Sequence, residues 1–126
     1  MTSNEANIDI VRKGTTLNTV SIAMPVWDKP SNDGFISIDI PLFGIKTFAK
    51  NDDDANTAIE ESIRLFCLSA EKFGRGLEFE LVNMGWTITS DANGLTCLSF
   101  TIPETSTVIE QIMHTGDQFA KKLEIA

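Results

Sequence analysis

The chain has 126 residues, of which 42% are hydrophobic and 22% are charged, and its formal net charge is −8. These proportions predict one globular domain over residues 1–126, large enough for a single core and too short for two. Because phosphate binding depends on clustered Lys and Arg, the charge argues against nucleic acid as the main partner. An acidic surface favours solubility, and where it serves recognition it suits a basic protein partner.

The sequence shows neither the pattern of a membrane-spanning segment nor that of a signal peptide. No apolar run approaches the roughly 20 residues that cross a bilayer. The N-terminal sequence MTSNEANID has neither the basic start nor the apolar stretch of a signal peptide. We therefore expect a cytoplasmic protein that makes no membrane contact.

The first part of the chain reads as antiparallel strands, with the core beginning near residue 17. A short alternating run ends at a Lys-Gly turn, and a core strand follows in which Val20, Ile22 and Met24 share one face. The connection over residues 27–34 is dense in turn formers and ends in Asp-Gly. The strands on either side of it should therefore pair antiparallel.

The next strand is the clearest in the sequence. Ile36, Ile38 and Ile40 alternate with Ser and Asp, which places three isoleucines on one face. Pro41 then ends the strand, and a second extended run follows over residues 45–48. Two paired strands should result.

A long amphipathic helix is predicted from about residue 52 to residue 72. Asn51 can cap its first turn, where three aspartates oppose the positive end of the helix dipole. Apolar and small residues recur at spacings of three and four and should face the sheet: Ala55, Ile59, Ser62, Ile63, Phe66, Ala70 and Phe73. Gly74 and Gly76 supply the end of the helix.

The order of these features resembles the HicB-like antitoxin domain over about residues 19–75. The matching residues are Asp33, Gly34, Phe35, Pro41, Gly44, Asn51, Asp53, Asp54, Ala55, Ile59, Ile63 and Phe66. Ile45 and Ala49-Lys50 depart from the family pattern, and the sequence shows no clear equivalent of the C-terminal DNA-binding segment that many members carry. The resemblance implies a ββ-β-α-β core and binding to a small basic messenger-RNA-cutting toxin.

The second half should complete an α+β domain with four to five antiparallel strands. Residues 77–88 alternate and read as a strand, which an Asn-Gly turn joins to another strand that ends the core near residue 102. A C-terminal helix is predicted over about residues 105–124. Its apolar stripe consists of Val108, Ile109, Ile112, Met113, Phe119, Ala120 and Leu123.

Residues that carry chemistry are few. Cys67, Cys97 and the single His114 show no metal-ligand spacing, and we expect both thiols to be buried and free. Asp39 and the three aspartates at 52–54 are oxygen ligands for a divalent cation, but helix capping already explains the triplet. We expect no catalytic residues, no metal site and no cofactor.

Four aromatic residues are candidates for partner binding: Trp27, Phe43, Phe48 and Trp86. Each either completes the core or anchors a partner, and core is the commoner fate for the phenylalanines. The stripe of the predicted C-terminal helix is likewise either core or a dimerisation face.

Three functions remain open at this point. The first is an antitoxin-like binding protein whose acidic surface suits a small basic toxin. The second is a stand-alone homo-oligomeric interaction or assembly protein of the same fold without a toxin. The third and weakest is a small enzyme that uses a Cys and the one His, and we favour a non-enzyme.

Overall fold

The computed structural model describes residues 5–30, 33–101 and 116–125. The strands are β1 Glu5–Lys13, β2 Thr16–Pro30, β3 Ile36–Ile40, β4 Ile45–Ala49, β5 Thr87–Ala92, β6 Leu95–Thr101 and β7 Gly116–Glu124. The helices are α1 Asp52–Lys72 and α2 Leu77–Asn83, and a 3-10 turn, Pro41–Phe43, separates β3 from β4.

One antiparallel sheet joins all of these strands in the order β4-β3-β2-β1-β6-β5, with β7 paired to β2. The 15-residue strand β2 organises it. Residues 19–23 of β2 pair with both β1 and β7, so these two strands lie on opposite edges of β2. Trp27 pairs with both β3 and β7, so β1 and β3 follow one another along the same edge. The long strand therefore ties both halves of the sheet together.

The mixed α+β class, with an antiparallel sheet and one long helix on its face, is confirmed. Strands β2 and β3 pair antiparallel, as predicted, but the predicted connection over residues 27–34 is wrong at its start, because residues 27–30 belong to β2 and pair with β3. Strands β5 and β6 form a hairpin whose turn residues, Asn93 and Gly94, both have positive φ, as the Asn-Gly dipeptide predicts. Helix α1 has the predicted bounds.

The core lies between α1 and one face of the sheet. The three isoleucines of β3 are buried, and so are the α1 residues Ala55, Ile59, Ile63, Cys67 and Ala70. Helix α1 packs on β3 and β4. Burying an isoleucine side chain contributes about 1.5–3 kcal/mol, so this contact is a principal source of stability. The predicted packing of the isoleucine face against the helix is confirmed.

The prediction of a strand over residues 77–88 is wrong through residue 86. Residues 77–83 form α2 and residues 84–86 follow it without a strand, so only Thr87 and Ile88 of this range belong to β5. Leu77 and Leu81 are buried while Phe79 between them is exposed. Burial at a spacing of four is helical, and a short alternating run contains that spacing as well.

The predicted C-terminal helix is wrong over residues 116–124, which form β7; residues 105–115 lie outside the described residues. Phe119 and Leu123 are four apart, which fits a helix, but all nine residues of β7 pair with β2. Leu123 is buried and Ala120 is exposed, so the segment does not form one apolar stripe. Pairing between distant parts of the chain outweighs local spacing here.

Candidate interaction surface

The four aromatic candidates are placed differently by the structure. Phe43 is 5% exposed and stacks on Phe66 with ring centroids 4.6 Å apart. Trp86 is 2% exposed and meets Phe100 edge to face at 5.6 Å. Both rings therefore complete the core and are closed to a partner, which corrects their assignment as surface candidates.

The burial of Trp86 depends on the turn that follows α2. Gly85 adopts φ +108°, and the Trp86 backbone N–H donates to the Leu81 carbonyl at 3.0 Å. A Cβ at Gly85 would lie 3.0 Å from the Phe100 ring. The tight turn thus reverses the direction of the chain and places Trp86 under α2. Hydrophobic periodicity in the sequence does not predict such a turn.

Phe48 is the candidate that reaches solvent, with 62% of its surface exposed. It lies on β4, which pairs with β3 and with no other strand of the described residues. Its register partner is Ser37, while the neighbouring pair Ile36 and Ala49 is buried toward α1. Alternation therefore places Phe48 on the sheet face away from the helix. The side chain of Trp27 lies outside the described residues, and its backbone pairs with Asp39.

An acidic triplet begins immediately after β4. The Asn51 side chain accepts a hydrogen bond from the Asp54 backbone N–H at 3.0 Å, which is the predicted helix cap. Asp52, Asp53 and Asp54 are all exposed, and none of them forms an ion pair within the described part of the chain. We call Phe48, Asp52, Asp53 and Asp54 the β4–α1 corner. An exposed apolar ring and three carboxylates that follow it within a few residues could together receive a cationic, partly apolar surface.

A second exposed apolar region lies where α1 meets α2. A groove of about 370 Å³ is lined by Phe66, Ser69, Ala70, Phe73, Gly74, Glu80 and Met84. Phe73 was predicted to face the sheet, which is wrong, because its side chain is 81% exposed. Phe73 is the C-cap residue of α1. The helix ends at this position, so the three- and four-residue spacing no longer predicts which way the side chain faces. We call this feature the α1–α2 groove.

The thiols are held in their neutral form. Burial raises the pKa of Cys67 to about 12. Cys97 is half-buried on the exposed face of the sheet, which corrects the prediction of burial, and its hydrogen bond to the Asp9 carboxylate raises its pKa. Because the thiolate is the reactive form, neither sulfur is activated as a nucleophile.

A cluster of charged side chains joins strand β1 of the sheet to helices α1 and α2. Arg12 on β1 donates to Glu71 on α1 at 2.6 and 2.8 Å, to Glu78 on α2 at 2.8 and 2.6 Å, and to the Thr15 carbonyl at 3.0 Å. Glu71 also accepts from the Leu77 backbone N–H at 2.7 Å. The Arg12 hydrogen bonds hold the pKa values of both carboxyl groups below their usual range. With its donors satisfied inside the fold, Arg12 has a structural role.

Comparisons of this chain with protein-family models, with curated proteins and with solved structures find no match. Over the residues that the structure describes, no three His, Cys, Asp or Glu side chains gather as metal ligands. The same part of the chain has no helix of the length and apolarity needed to span a membrane.

Proposed function

We propose that this chain is an antitoxin-type binding protein that neutralises a small basic ribonuclease by docking on it through the β4–α1 corner. The resemblance of residues 19–75 to the HicB-like pattern suggests the kind of partner. The observation that supports the proposal is the exposed ring of Phe48, followed closely in the chain by three exposed carboxylates, at residues 52–54, that form no ion pair within the described residues.

Electrostatics explains how such docking would inhibit. A ribonuclease binds the RNA backbone with Lys and Arg side chains. Carboxylates that pair with those Lys and Arg side chains compete directly with the RNA phosphates. The opposite charges of the two proteins also accelerate their association. Phe48 adds an apolar anchor, because aromatic side chains dominate the energetics of many interfaces. Inhibition then requires no chemistry from this chain.

The neighbouring strand geometry is compatible with a protein partner. Because β4 lies at an edge of the described sheet, its outward backbone groups are open to an additional strand. Lys46 and Lys50 are also exposed here, and lysines at an edge disfavour uncontrolled pairing. Because the lysines disfavour nonspecific pairing at this edge, we expect docking to select a partner whose charges complement those of the β4–α1 corner.

The first prediction concerns Phe48. The tagged full chain, expressed in its native host, should co-purify with a small basic protein whose ribonuclease activity it inhibits when the two are mixed in equal amounts. Phe48→Ser should weaken this complex at least about tenfold, because the loss of one interface anchor removes more than about 1.4 kcal/mol. Calorimetry with the purified pair provides the dissociation constant.

Leu65→Ser is the matched control, because Leu65 is 64% exposed on α1 and lies outside the corner. It should leave the affinity unchanged. Recovery of no small basic protein, or equal weakening by both substitutions, would contradict the proposal.

A further inference from the structure

We infer that the α1–α2 groove is a self-association site, in which two copies of the chain pair about a twofold axis and each inserts its Phe73 ring into the groove of the other. This inference goes beyond the proposed antitoxin function and does not depend on it. The second copy is identified by shape and by charge.

Phe73 is both the most exposed large apolar side chain of the described residues and part of the groove wall. A protruding ring therefore lies directly beside an apolar depression that Phe66, Ala70 and Met84 help to line. A twofold axis that passes between the Phe73 ring and the groove places the ring of each copy on the groove of the other copy. One symmetric contact thus buries both rings at once.

Helix α2 carries further exposed apolar side chains. Phe79 and Val82, three residues apart on α2, are both almost half exposed, and Met84 lies at the groove itself. A cluster of exposed apolar side chains of this kind is typical of an interaction site. Single scattered apolar residues would not carry the same meaning.

The charges at the groove favour a second copy over another acidic or basic protein. Lys72 and Arg75 lie beside the groove, and Glu80 lines it. Arg75 lies over the Phe79 ring at 5.3 Å, and the Glu80 carboxylate accepts the Arg75 backbone N–H at 3.2 Å. Both signs of charge therefore occur within one small area. A twofold contact can place the basic groups of each copy opposite Glu80 of the other, although the chain as a whole is strongly acidic.

The position of the groove separates it from the β4–α1 corner. The two features lie at opposite ends of α1, whose 21 residues span roughly 30 Å at about 1.5 Å per residue. Self-association through the groove leaves the corner of each copy open.

The test is the molar mass of the full chain, measured by light scattering during gel filtration over low-micromolar to near-millimolar concentrations. We expect the wild-type mass to rise to twice the 13.8 kDa of the single chain. Phe73→Asp should remain monomeric over the same concentrations, because a charged side chain replaces the ring that the contact buries. Because Phe73 is exposed, this substitution should leave the far-UV circular dichroism spectrum unchanged.

Leu65→Asp is the control, since it places the same charge on an exposed apolar position of α1 outside the groove, and it should dimerise like the wild type. A monomeric wild type at every concentration overturns the inference. So does a dimeric Phe73→Asp protein, and so does a loss of dimer in Leu65→Asp. Phe48→Ser should still dimerise, and Phe73→Asp should still bind the basic partner, so failure of one proposal can be told from failure of the other.

Discussion

At the scale of single residues, Cys67 and Cys97 show how surroundings decide chemistry. The core encloses Cys67, and removal of its charged form from water raises its pKa to about 12. Cys97 faces the opposite side of the sheet, where the Asp9 carboxylate accepts its thiol hydrogen and repels a thiolate. The sequence predicts two buried thiols, because free cysteines usually pack as small apolar residues. The face of β6 that Cys97 occupies depends on strand register, which the sequence does not give.

Alkylation rates should report these surroundings. At neutral pH, iodoacetamide should modify Cys97 slowly and Cys67 only after unfolding, since the thiolate fraction and access both limit the reaction. Asp9→Asn should increase the Cys97 rate several-fold, because removal of the neighbouring negative charge lowers the thiol pKa. Mass spectrometry of time points measures both sites.

Asp39→Asn removes a carboxylate from β3, which is remote from Cys97 in the strand order, and should leave the rate unchanged. Faster modification of Cys67 than of Cys97 in the folded protein would contradict the assignment of their environments.

At the scale of elements, the sequence predicts those whose signals are local. Helix α1 combines a side-chain cap, an acidic first turn and a long buried stripe, and its bounds follow from these. The strand β3 likewise shows unbroken alternation. Helix α2 has only seven residues, and β7 contains apolar residues at helical spacing, so contacts with distant segments decide the form of both. The sequence also does not predict that Phe48 and Phe73 are exposed, because exposure depends on which distant segments pack against a side chain.

The Asn51 cap should contribute measurably to stability. Asn51→Ala removes the acceptor for the Asp54 N–H and should lower the free energy of unfolding by about 1 kcal/mol. Urea denaturation followed by circular dichroism gives this value from the shift in midpoint at constant m.

Asn56→Ala is the appropriate comparison, since Asn56 is exposed within the same helix. Alanine is the better helix former there, so this substitution should raise stability by up to about 0.7 kcal/mol. Equal destabilisation by the two changes would mean that the cap contributes nothing specific.

At the scale of the whole molecule, Arg12 connects the β1–β2 hairpin to both helices. The side chains of the cluster are only 19–24% exposed, so its ion pairs are less screened than ordinary surface pairs. In the sequence, Arg12 stands out only as the neighbour of Lys13 among ten basic residues. Its two acidic partners lie about sixty positions later, as the separations of 59 and 66 show. No local pattern links groups so far apart.

Arg12→Lys should destabilise the protein by roughly 1–3 kcal/mol at pH 7, because an ammonium group cannot donate to both carboxylates in the same fork geometry. The lowered pKa values of Glu71 and Glu78 mean that the wild-type contribution is fully present above the unfolded pKa of about 4.3. It is lost as pH falls through their lower folded values. The difference between the two proteins should therefore shrink in acid.

Urea titrations from pH 7 to pH 2 measure that difference directly. Lys13→Gln changes the exposed neighbour of Arg12 and should alter stability by no more than about 0.5 kcal/mol at any pH. A constant gap between wild type and Arg12→Lys across this range would be inconsistent with the lowered carboxyl pKa values.

The double pairing of β2 has a consequence for how the chain reaches its native state. Val20 pairs with Ile10 on one side and with Leu123 on the other, so the second ladder joins segments that are synthesised far apart in time. Contacts between such distant segments slow folding, and an uncovered strand edge can recruit other chains. A nascent polypeptide that still lacks β7 displays this open edge to its neighbours, and chaperone protection would matter most during that interval.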